Sequence, residues 1–236
     1  MLDALKESVY QANISLAESR LVILTWGNVS GIDRDNGFVV IKPSGVPYSE
    51  MTPDSMVVVD LDGRRVDGTL KPSSDLPTHL ALYRAWPSVG GVAHTHSLYA
   101  TMFAQAERDI PCFGTTHADY FYGDIPVTRI QTPDDVKTDY EANAGRLIVD
   151  TFAERRLSPA EIPAVLIAKH GPFSWGASPS AAVESSIVAE TVAPMAAGTV
   201  GINPAATRPP GSLLDKHFFR KHGSAAYYGQ SAERGV

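Results

Sequence analysis

Apolar and polar residues follow two different periods along this chain, and each period predicts one type of element. Apolar residues recur every three or four positions in six segments, which predicts amphipathic helices over about 1–19, 76–86, 97–107, 134–156, 179–197 and 212–222. Short apolar runs rich in β-branched residues predict strands at LVILTWGNVSGI, GFVVIKPSG, SMVVVDLDG, GGVAHTHS, DIPVTRI and PAVLIAKHG. Helices and strands are therefore mixed along the whole chain.

Turn residues indicate how the strands pair. Asp-Asn-Gly at 35–37 and Asp-Gly at 62–63 and 67–68 are typical of tight hairpin turns. Hairpins join antiparallel neighbours, so these early strands argue against a doubly wound parallel sheet. We expect one α/β domain over residues 1–236, with helices covering a central, largely antiparallel sheet. A proline-rich loop, GINPAATRPPG at 201–211, separates the last predicted helix from the body of the domain.

Composition limits the classes of protein to which the chain can belong. The 236 residues are 44% hydrophobic, which is enough for a sizeable core, and the net charge of −6 argues against a general nucleic-acid binder. Cys112 is the only cysteine, so an internal disulfide is impossible. We find no signal-peptide pattern and no uninterrupted apolar run of about 18 residues. We therefore expect a cytoplasmic protein that neither spans a membrane nor binds nucleic acid.

Three histidines lie at positions where a metal site is expected. Alternate side chains of a strand share a face, so His94 and His96 of GGVAHTHS are predicted to lie side by side. Neutral imidazoles are common metal ligands, although two histidines alone are equally consistent with ordinary hydrogen bonding. His170 follows the apolar run VLIA, at a strand-to-loop junction where functional side chains often project. Three histidines and one exchangeable position form the usual catalytic zinc pattern.

Three short loops have the composition of an anion site. TWGNVSG and IKPSG each follow an apolar run, and KPSSD precedes a predicted helix. Lys42 supplies positive charge, Ser44 a hydroxyl, and Gly45 the backbone freedom for a tight turn. Ser73 and Ser74 precede a helix N-terminus, which favours phosphate. Each loop alone could be an ordinary turn, but three of them in one domain favour a phosphate-ester ligand.

Other polar residues remain ambiguous from local sequence. Asp75 is either the N-cap of the next helix or an oxygen ligand of the metal. His79, one helical turn later, is expected on the helix surface. The segment GTTHADYFYGD at 114–124 is dense in titratable groups, and local sequence does not choose among them. Tyr227 and Tyr228 lie in a C-terminal segment, HGSAAYYGQ, where surface packing is the ordinary expectation.

Taken together, these stretches resemble the class II aldolase family. The motifs that carry the resemblance are LTWGNVS, IKPSGVPYS, KPSSDLPTH, GGVAHTHS, GTTHADYFYG, HGPFSWG and LLDKHFFRKHG, and they cover nearly the whole chain. The resemblance implies a three-layer α/β/α fold with a central antiparallel sheet. It also implies a fourfold-symmetric homotetramer, with a divalent metal, most often Zn²⁺, in each active site near a subunit interface. The segment of about 212–236 is expected to contribute to that interface.

Within the family, the resemblance is to enzymes that epimerise pentulose phosphates. It implies conversion of L-ribulose 5-phosphate to D-xylulose 5-phosphate by cleavage and re-formation of the C3–C4 bond. The implied acid/base pair is Asp119 and Tyr228, with Tyr228 reaching in from the neighbouring subunit. The implied metal residues are His94, His96, His170 and Asp75. The implied substrate and phosphate residues are Gly27, Asn28, Lys42, Ser44, Gly45, Ser73 and Ser74, with Thr115, Glu141, His217 and Arg220 as further candidates.

Two alternatives and two departures belong beside this interpretation. A class II aldolase acting on a related sugar phosphate would release its fragments, and there we expect glutamate, not Asp75, after Pro-Ser-Ser. A non-catalytic scaffold of the adducin type would lack the metal histidines, which are all present here. Lys169 stands where the family pattern leads us to expect a small polar residue, and the loop at 199–211 also differs. The metal used in the cell and the exact pentulose phosphate stay open.

Overall fold

The computed structural model describes residues 2–223 and 226–228. In that part of the chain the helices are α1 Leu2–Glu18, α2 Leu76–Ala85, α3 Leu98–Gln105, α4 Thr115–Ala118, α5 Pro133–Thr138, α6 Tyr140–Arg155, α7 Pro179–Ile202 and α8 Gly211–Phe219. The strands are β1 Asn28–Asp33, β2 Phe38–Ile41, β3 Val57–Asp60, β4 Arg65–Asp67, β5 Gly91–His94, β6 Ala164–Leu166 and β7 Pro172–Gly176.

The strands within the described ranges form one sheet in the order β4-β3-β2-β1-β5-β7-β6, and neighbouring strands all pair antiparallel. The turns predicted at 35–37 and 62–63 connect β1 to β2 and β3 to β4, as expected of hairpins. The turn predicted at 67–68 is not a hairpin, because it follows β4 and leads toward α2. The register places Asn28 of β1 opposite His94 of β5, so two candidate functional segments meet at the centre of the sheet.

Both faces of the sheet are covered, which gives the three layers expected. Alternate residues of β2 point to opposite sides. Val39 and Ile41 join a core that includes residues of α2 and α6, whereas Val40 packs in a cluster with Val9 of α1. Helix α7 packs against β5 and β7. The central, largely antiparallel sheet between helices is therefore confirmed.

Several predicted elements differ from those observed. The run at 124–130 is not a strand. It makes only isolated bridges, from Ile125 to Ile110 and from Val127 to Leu166, so no continuous ladder forms. PFSWG, which was expected to follow a strand end, forms β7, and its proline is tolerated at the first position. The helix predicted over 134–156 is interrupted at Asp139, whose φ of −149° and ψ of 73° are not helical. β5 ends at His94, so His96 lies just beyond the strand.

Helix α7 is the longest helix in the described part of the chain. By length and composition alone its 24 residues are enough to cross a membrane. Ala189, Val192 and Ala193 are buried in the main core, and 28% of the most apolar 18-residue window of this helix is buried. The predicted interface segment of about 212–236 begins with α8, and its residues 224–225 and 229–236 lie outside the described ranges.

Candidate active site

Three histidines converge at the end of β5. His94 ends the strand, His96 follows in the loop, and His170 comes from the turn between β6 and β7. Their candidate ligand nitrogens all lie within 4.8 Å of one another. The ring centroids are 4.9 Å apart for His94 and His96, 4.8 Å for His94 and His170, and 5.0 Å for His96 and His170. The structure therefore brings together histidines that two separate arguments selected.

Hydrogen bonds hold two of these rings in an orientation that suits a metal. Nδ1 of His94 lies 2.9 Å from the carbonyl oxygen of Pro172, so Nδ1 must donate and Nε2 keeps a free lone pair in the neutral ring. Nδ1 of His170 lies 3.1 Å from the hydroxyl of Tyr140. Phe173 stacks on His94 with ring centroids 4.1 Å apart. Such outer contacts are what orient histidine ligands in metal sites.

Two of the three histidines, His96 and His170, are neutral at physiological pH. Burial lowers the pKa of His96 to about 4 and, with the neighbouring histidines, that of His170 to about 3. A neutral imidazole offers a lone pair, whereas a protonated one does not. Three converging imidazole nitrogens fit Zn²⁺ or another borderline divalent cation better than they fit Mg²⁺ or Ca²⁺, which prefer oxygen.

Asp75 stands at the helix N-cap position but does not cap the helix with its side chain. Its carboxylate accepts a hydrogen bond from Nδ2 of Asn28 at 2.6 Å, and the hydroxyl of Ser73 lies 3.5 Å away. Burial acts to raise the pKa of Asp75, but His94 and the Asn28 hydrogen bond act against it, and the pKa stays below its usual value. Asp75 lies in the wall of the histidine cavity, outside the triangle of ligand nitrogens.

One cavity of about 480 Å³ joins the histidines to the three polar loops. This volume is in the range of small-molecule sites. The sequence-predicted residues in its wall are Gly27, Asn28, Lys42, Ser44, Gly45, Ser73, Ser74, Asp75, His94, His96, Glu141 and His170. Candidate metal and phosphate groups therefore share one cavity.

The two Pro-Ser loops pair with each other along one edge of this cavity. Pro43 and Pro72 form an antiparallel bridge. The amide of Ser44 donates to the carbonyl oxygen of Lys71 at 2.9 Å, and the amide of Ser73 donates to that of Lys42 at 3.0 Å. The similar sequences KPSG and KPSS thus become neighbours in the structure.

Lys42 is a buried cation at the cavity wall. Its side chain is only 2% exposed. Its Nζ lies 3.3 Å from the carbonyl oxygen of Pro43, 3.5 Å from that of Thr25, and 4.9 Å from the ring centroid of Tyr48. Burial lowers the pKa of Lys42 to about 8. A desolvated ammonium held by carbonyl dipoles and a ring has a strong electrostatic preference for an anionic ligand.

The WGN loop is fixed closely against β5. Gly27 has a φ of +81°, and a Cβ there would lie 2.6 Å from Val22 and 2.8 Å from the carbonyl oxygen of His94. The hydroxyl of Tyr48 donates to the carbonyl oxygen of Gly27 at 2.9 Å. Only glycine permits this approach, which places Asn28 directly beside the histidines.

Asp119 and Tyr228 lie in a different place from the histidine cavity of their own chain. The carboxylate of Asp119 accepts from Arg220 at 2.7 Å and from His217 at 2.9 Å, and Nζ of Lys221 lies 3.4 Å away. Arg220 and Lys221 also lie 4.8 and 4.7 Å from the ring centroid of Tyr228. We call Asp119, His217, Arg220, Lys221 and Tyr228 the Asp119 cluster.

The Asp119 cluster is held together by charge. Burial acts to raise the pKa of Asp119, but hydrogen bonds from Arg220 and His217 hold the pKa below its usual value. Thr115 begins the short helix α4 that ends beside Asp119. Tyr228 is 61% exposed, so this cluster presents its tyrosine at the surface. Within one chain, neither member of the implied acid/base pair, nor Thr115, His217 or Arg220, reaches the histidines.

Some residues at the site were missed or misplaced by the sequence. Tyr140, Thr25 and Trp26 line the cavity but were not selected. The helix break at Asp139 allows Tyr140 to bond His170. In the sequence, only its position beside Glu141 pointed to a place in the site. His79 was expected on the helix surface, which is wrong, because it is fully buried and bonded to Ser30.

Lys169 shows why a small polar residue is expected before His170. Its φ is +66°, a left-handed conformation that asparagine and glycine adopt more easily than lysine. The side chain of Lys169 forms an ion pair with Glu107 at 2.6 Å and donates to the carbonyl oxygen of Gln105 at 2.7 Å. These contacts hold the turn that presents His170.

Known proteins share both the sequence and this fold. Residues 7–197 match the Class II Aldolase and Adducin N-terminal domain. The chain is 52% identical, over 97% of its length and 100% of theirs, to the proteins named L-ribulose-5-phosphate 4-epimerase UlaF of Salmonella paratyphi B and Salmonella typhi.

Two solved structures show the same fold at lower identity. An L-fuculose 1-phosphate aldolase superposes with a TM-score of 0.76 at 23% identity, over 91% of this chain and 94% of its own. YgbL, a putative aldolase/epimerase/decarboxylase from Escherichia coli, gives a TM-score of 0.72 at 23% identity, over 91% and 98%. With the family match covering most of the sequence, the chain belongs to the class II aldolase and adducin N-terminal domain family.

Proposed function

We propose that this protein is a metal-dependent sugar-phosphate 4-epimerase that interconverts L-ribulose 5-phosphate and D-xylulose 5-phosphate. The observation that carries the proposal is one cavity containing three convergent histidines and a buried lysine. The relatives that are 52% identical carry the name of this activity. Because a sugar phosphate is charged and does not cross membranes freely, we also propose that the enzyme works in the cytoplasm.

His94, His96 and His170 would hold a divalent cation, for which Zn²⁺ is the proposed identity. When bound, the ion would supply a Lewis acid that stabilises negative charge on oxygens beside the substrate carbonyl. Asp75, kept ionised by its neighbours, adds a negative charge in the same cavity wall. Pro172 and Tyr140 fix the rings of His94 and His170 from behind.

The chemistry of the sugar explains why C3–C4 cleavage is proposed. The hydrogen on C4 is β to the carbonyl, so its removal would leave an unstabilised carbanion. Cleavage of C3–C4 instead leaves the electron pair on C3, from which it delocalises onto the C2 carbonyl oxygen as an enolate. The other fragment is an aldehyde that carries the phosphate. Lys42 and the two Pro-Ser loops would hold that phosphate while the aldehyde turns and its opposite face is attacked.

The oxygen on C4 must lose a proton on one side and gain one on the other. We assign these transfers to Asp119 and Tyr228. The Asp119 cluster lies outside the cavity of its own chain and holds both groups together through Arg220. We therefore propose that it completes the cavity of a neighbouring subunit in a homotetramer, so that both groups of one pair come from the same neighbour.

The direct test is to supply L-ribulose 5-phosphate to the purified, metal-loaded protein and to identify the products by NMR. We expect D-xylulose 5-phosphate without accumulation of free aldehyde, and no conversion by His170→Asn. Accumulation of dihydroxyacetone and glycolaldehyde phosphate would make the protein an aldolase instead. Absence of any conversion by the loaded wild-type protein would refute both activities.

A further inference from the structure

A ladder of polar side chains connects β1 to α2 behind the histidine cavity. Asn28 and Ser30 lie two residues apart on the strand, and Asp75, His79 and Tyr83 lie four residues apart on the helix. Asn28 bonds Asp75 at 2.6 Å, and the Ser30 hydroxyl lies 2.7 Å from Nδ1 of His79 and 2.8 Å from the Tyr83 hydroxyl. Burying polar groups between a helix and a sheet costs free energy unless they are bonded. Packing alone therefore does not account for this ladder.

His79 has one ring nitrogen bonded and one without a partner. It is fully buried, and among the described residues its Nε2 makes no hydrogen bond. An unsatisfied buried nitrogen is expensive, which points to a role for Nε2. Helical side chains lean toward the N-terminus of their helix, so the ring of His79 lies over the turn that begins with Asp75. A neutral imidazole carries one ring proton, so the bond that Nδ1 makes to Ser30 determines whether Nε2 holds it.

His79 is linked to a metal-site histidine through Phe173. Phe173 meets His79 edge-on, with centroids 5.9 Å apart, and stacks on His94. His79 thus lies behind both Asp75 and His94, and it does not line the cavity formed by the described residues. A residue in this place acts on the site only through its neighbours.

We propose that His79 is a positioning residue whose Nε2–H is directed toward the carboxylate of Asp75. In this arrangement Tyr83 donates to Ser30, Ser30 donates to Nδ1 of His79, and the single ring proton is left on Nε2. The opposite direction of donation would turn a bare lone pair toward an ionised carboxylate, which repels it. The role of Asp75 at the metal rests on the proposed function, whereas the tautomer of His79 does not.

The tautomer is measured by ¹⁵N NMR of the imidazole nitrogens in the metal-free protein. We expect His79 to be protonated at Nε2 in the wild type and to lose this single tautomer in Ser30→Ala and Tyr83→Phe. Ser174→Ala is the matched control, since Ser174 is also a buried, hydrogen-bonded strand serine. The control is expected to leave His79 unchanged. A wild-type His79 protonated at Nδ1 would overturn the proposal.

Two substitutions of His79 separate its two nitrogens. His79→Gln keeps an N–H near Nε2, and His79→Asn keeps one near Nδ1. We expect His79→Asn to lose roughly 10- to 100-fold in Zn²⁺ affinity and kcat with little change in KM, and His79→Gln to lose less. Zn²⁺ affinity is measured by competition with a chelating dye. The role would be refuted if both variants kept the wild-type Zn²⁺ affinity and kcat, or if His79→Asn kept more of either than His79→Gln. If the wild type converts no pentulose phosphate, the proposed function fails. The NMR and Zn²⁺ measurements then still decide whether His79 is a positioning residue.

Discussion

Lys42→Met should separate the charge of this lysine from its packing, since methionine has a similar length and no charge. If Lys42 binds the substrate phosphate, the variant loses a charge-assisted hydrogen bond of about 1.5–3 kcal/mol, which corresponds to a roughly 10- to 150-fold rise in KM at pH 7. Lys71→Met is the matched control, because Lys71 occupies the same place in the paired KPSS loop but is exposed. We expect Lys71→Met to keep the wild-type KM.

The pH dependence gives a second, independent measurement. With a pKa of about 8, Lys42 is mostly charged at pH 7 and mostly neutral at pH 9. The phosphate stays doubly charged over this range, so the KM of the wild type should rise roughly ten-fold between pH 7 and pH 9. Lys71→Met should follow the same curve, and Lys42→Met should lose this rise. A wild-type KM that is flat over this range, or the same rise in Lys42→Met, would refute the assignment.

Lys42→Met should stabilise the free protein, although it weakens substrate binding. Lys42 has an ordinary pKa of 10.5 when exposed and one of about 8 in the fold, so between these values the unfolded chain binds more protons. The stability of the wild type should therefore rise with pH through this window. Below about pH 8 the loss of stability from burying the charged Lys42 is complete. Lys42→Met should melt at a higher temperature than the wild type at pH 7, and thermal unfolding followed by circular dichroism across pH 7 to 10 would show the advantage shrinking. A lower melting temperature would mean that the ammonium stabilises the free protein.

Three further predictions concern the metal, the interface and the bond that breaks. His170→Asn should lose most of the bound divalent ion while remaining folded, and Tyr140→Phe should bind it more weakly by roughly ten-fold; metal analysis showing full occupancy in His170→Asn would contradict the site. His94→Asn mixed and refolded with Tyr228→Phe should recover on the order of a quarter of wild-type activity, whereas Asp119→Asn mixed with Tyr228→Phe should recover none, since one neighbour supplies both. Recovery in the second mixture would mean that Asp119 and Tyr228 of one active site come from different subunits. Epimerisation in D₂O should put no deuterium on C4, because the C4–H bond never breaks; NMR showing C4 deuterium would require direct deprotonation instead.

Local sequence was sufficient where the structure depends on neighbours in the chain. The hairpin turns at 35–37 and 62–63 predicted the antiparallel sheet, because a two-strand hairpin is closed by its own turn residues. The convergence of His94 and His96 was also anticipated, even though the strand ends at His94, since the two rings still lie 4.9 Å apart. The pairing of β1 with β5, which brings Asn28 to the histidines, could not be derived from either segment alone.

The errors arise where distant segments decide the environment. A histidine on an amphipathic helix is usually exposed, but His79 is buried because Ser30, far away in sequence, receives it. The break before Tyr140 has neither proline nor glycine at Asp139, so no local signal ended the predicted helix. Asp119 and Tyr228 meet through Arg220 and Lys221, which lie about a hundred residues from Asp119 in sequence, so neither periodicity nor composition predicts the pair.

The pairing of the two Pro-Ser loops also determines how they move. The amide of Ser44 in the KPSG loop donates to Lys71 of the KPSS loop, and the amide of Ser73 in the KPSS loop donates to Lys42 of the KPSG loop. Neither loop can therefore open without breaking a hydrogen bond of the other. Local opening is then a single cooperative event. The amide hydrogens of Ser44 and Ser73 should exchange with deuterium at a common rate, and an anion that orders either loop should slow both together.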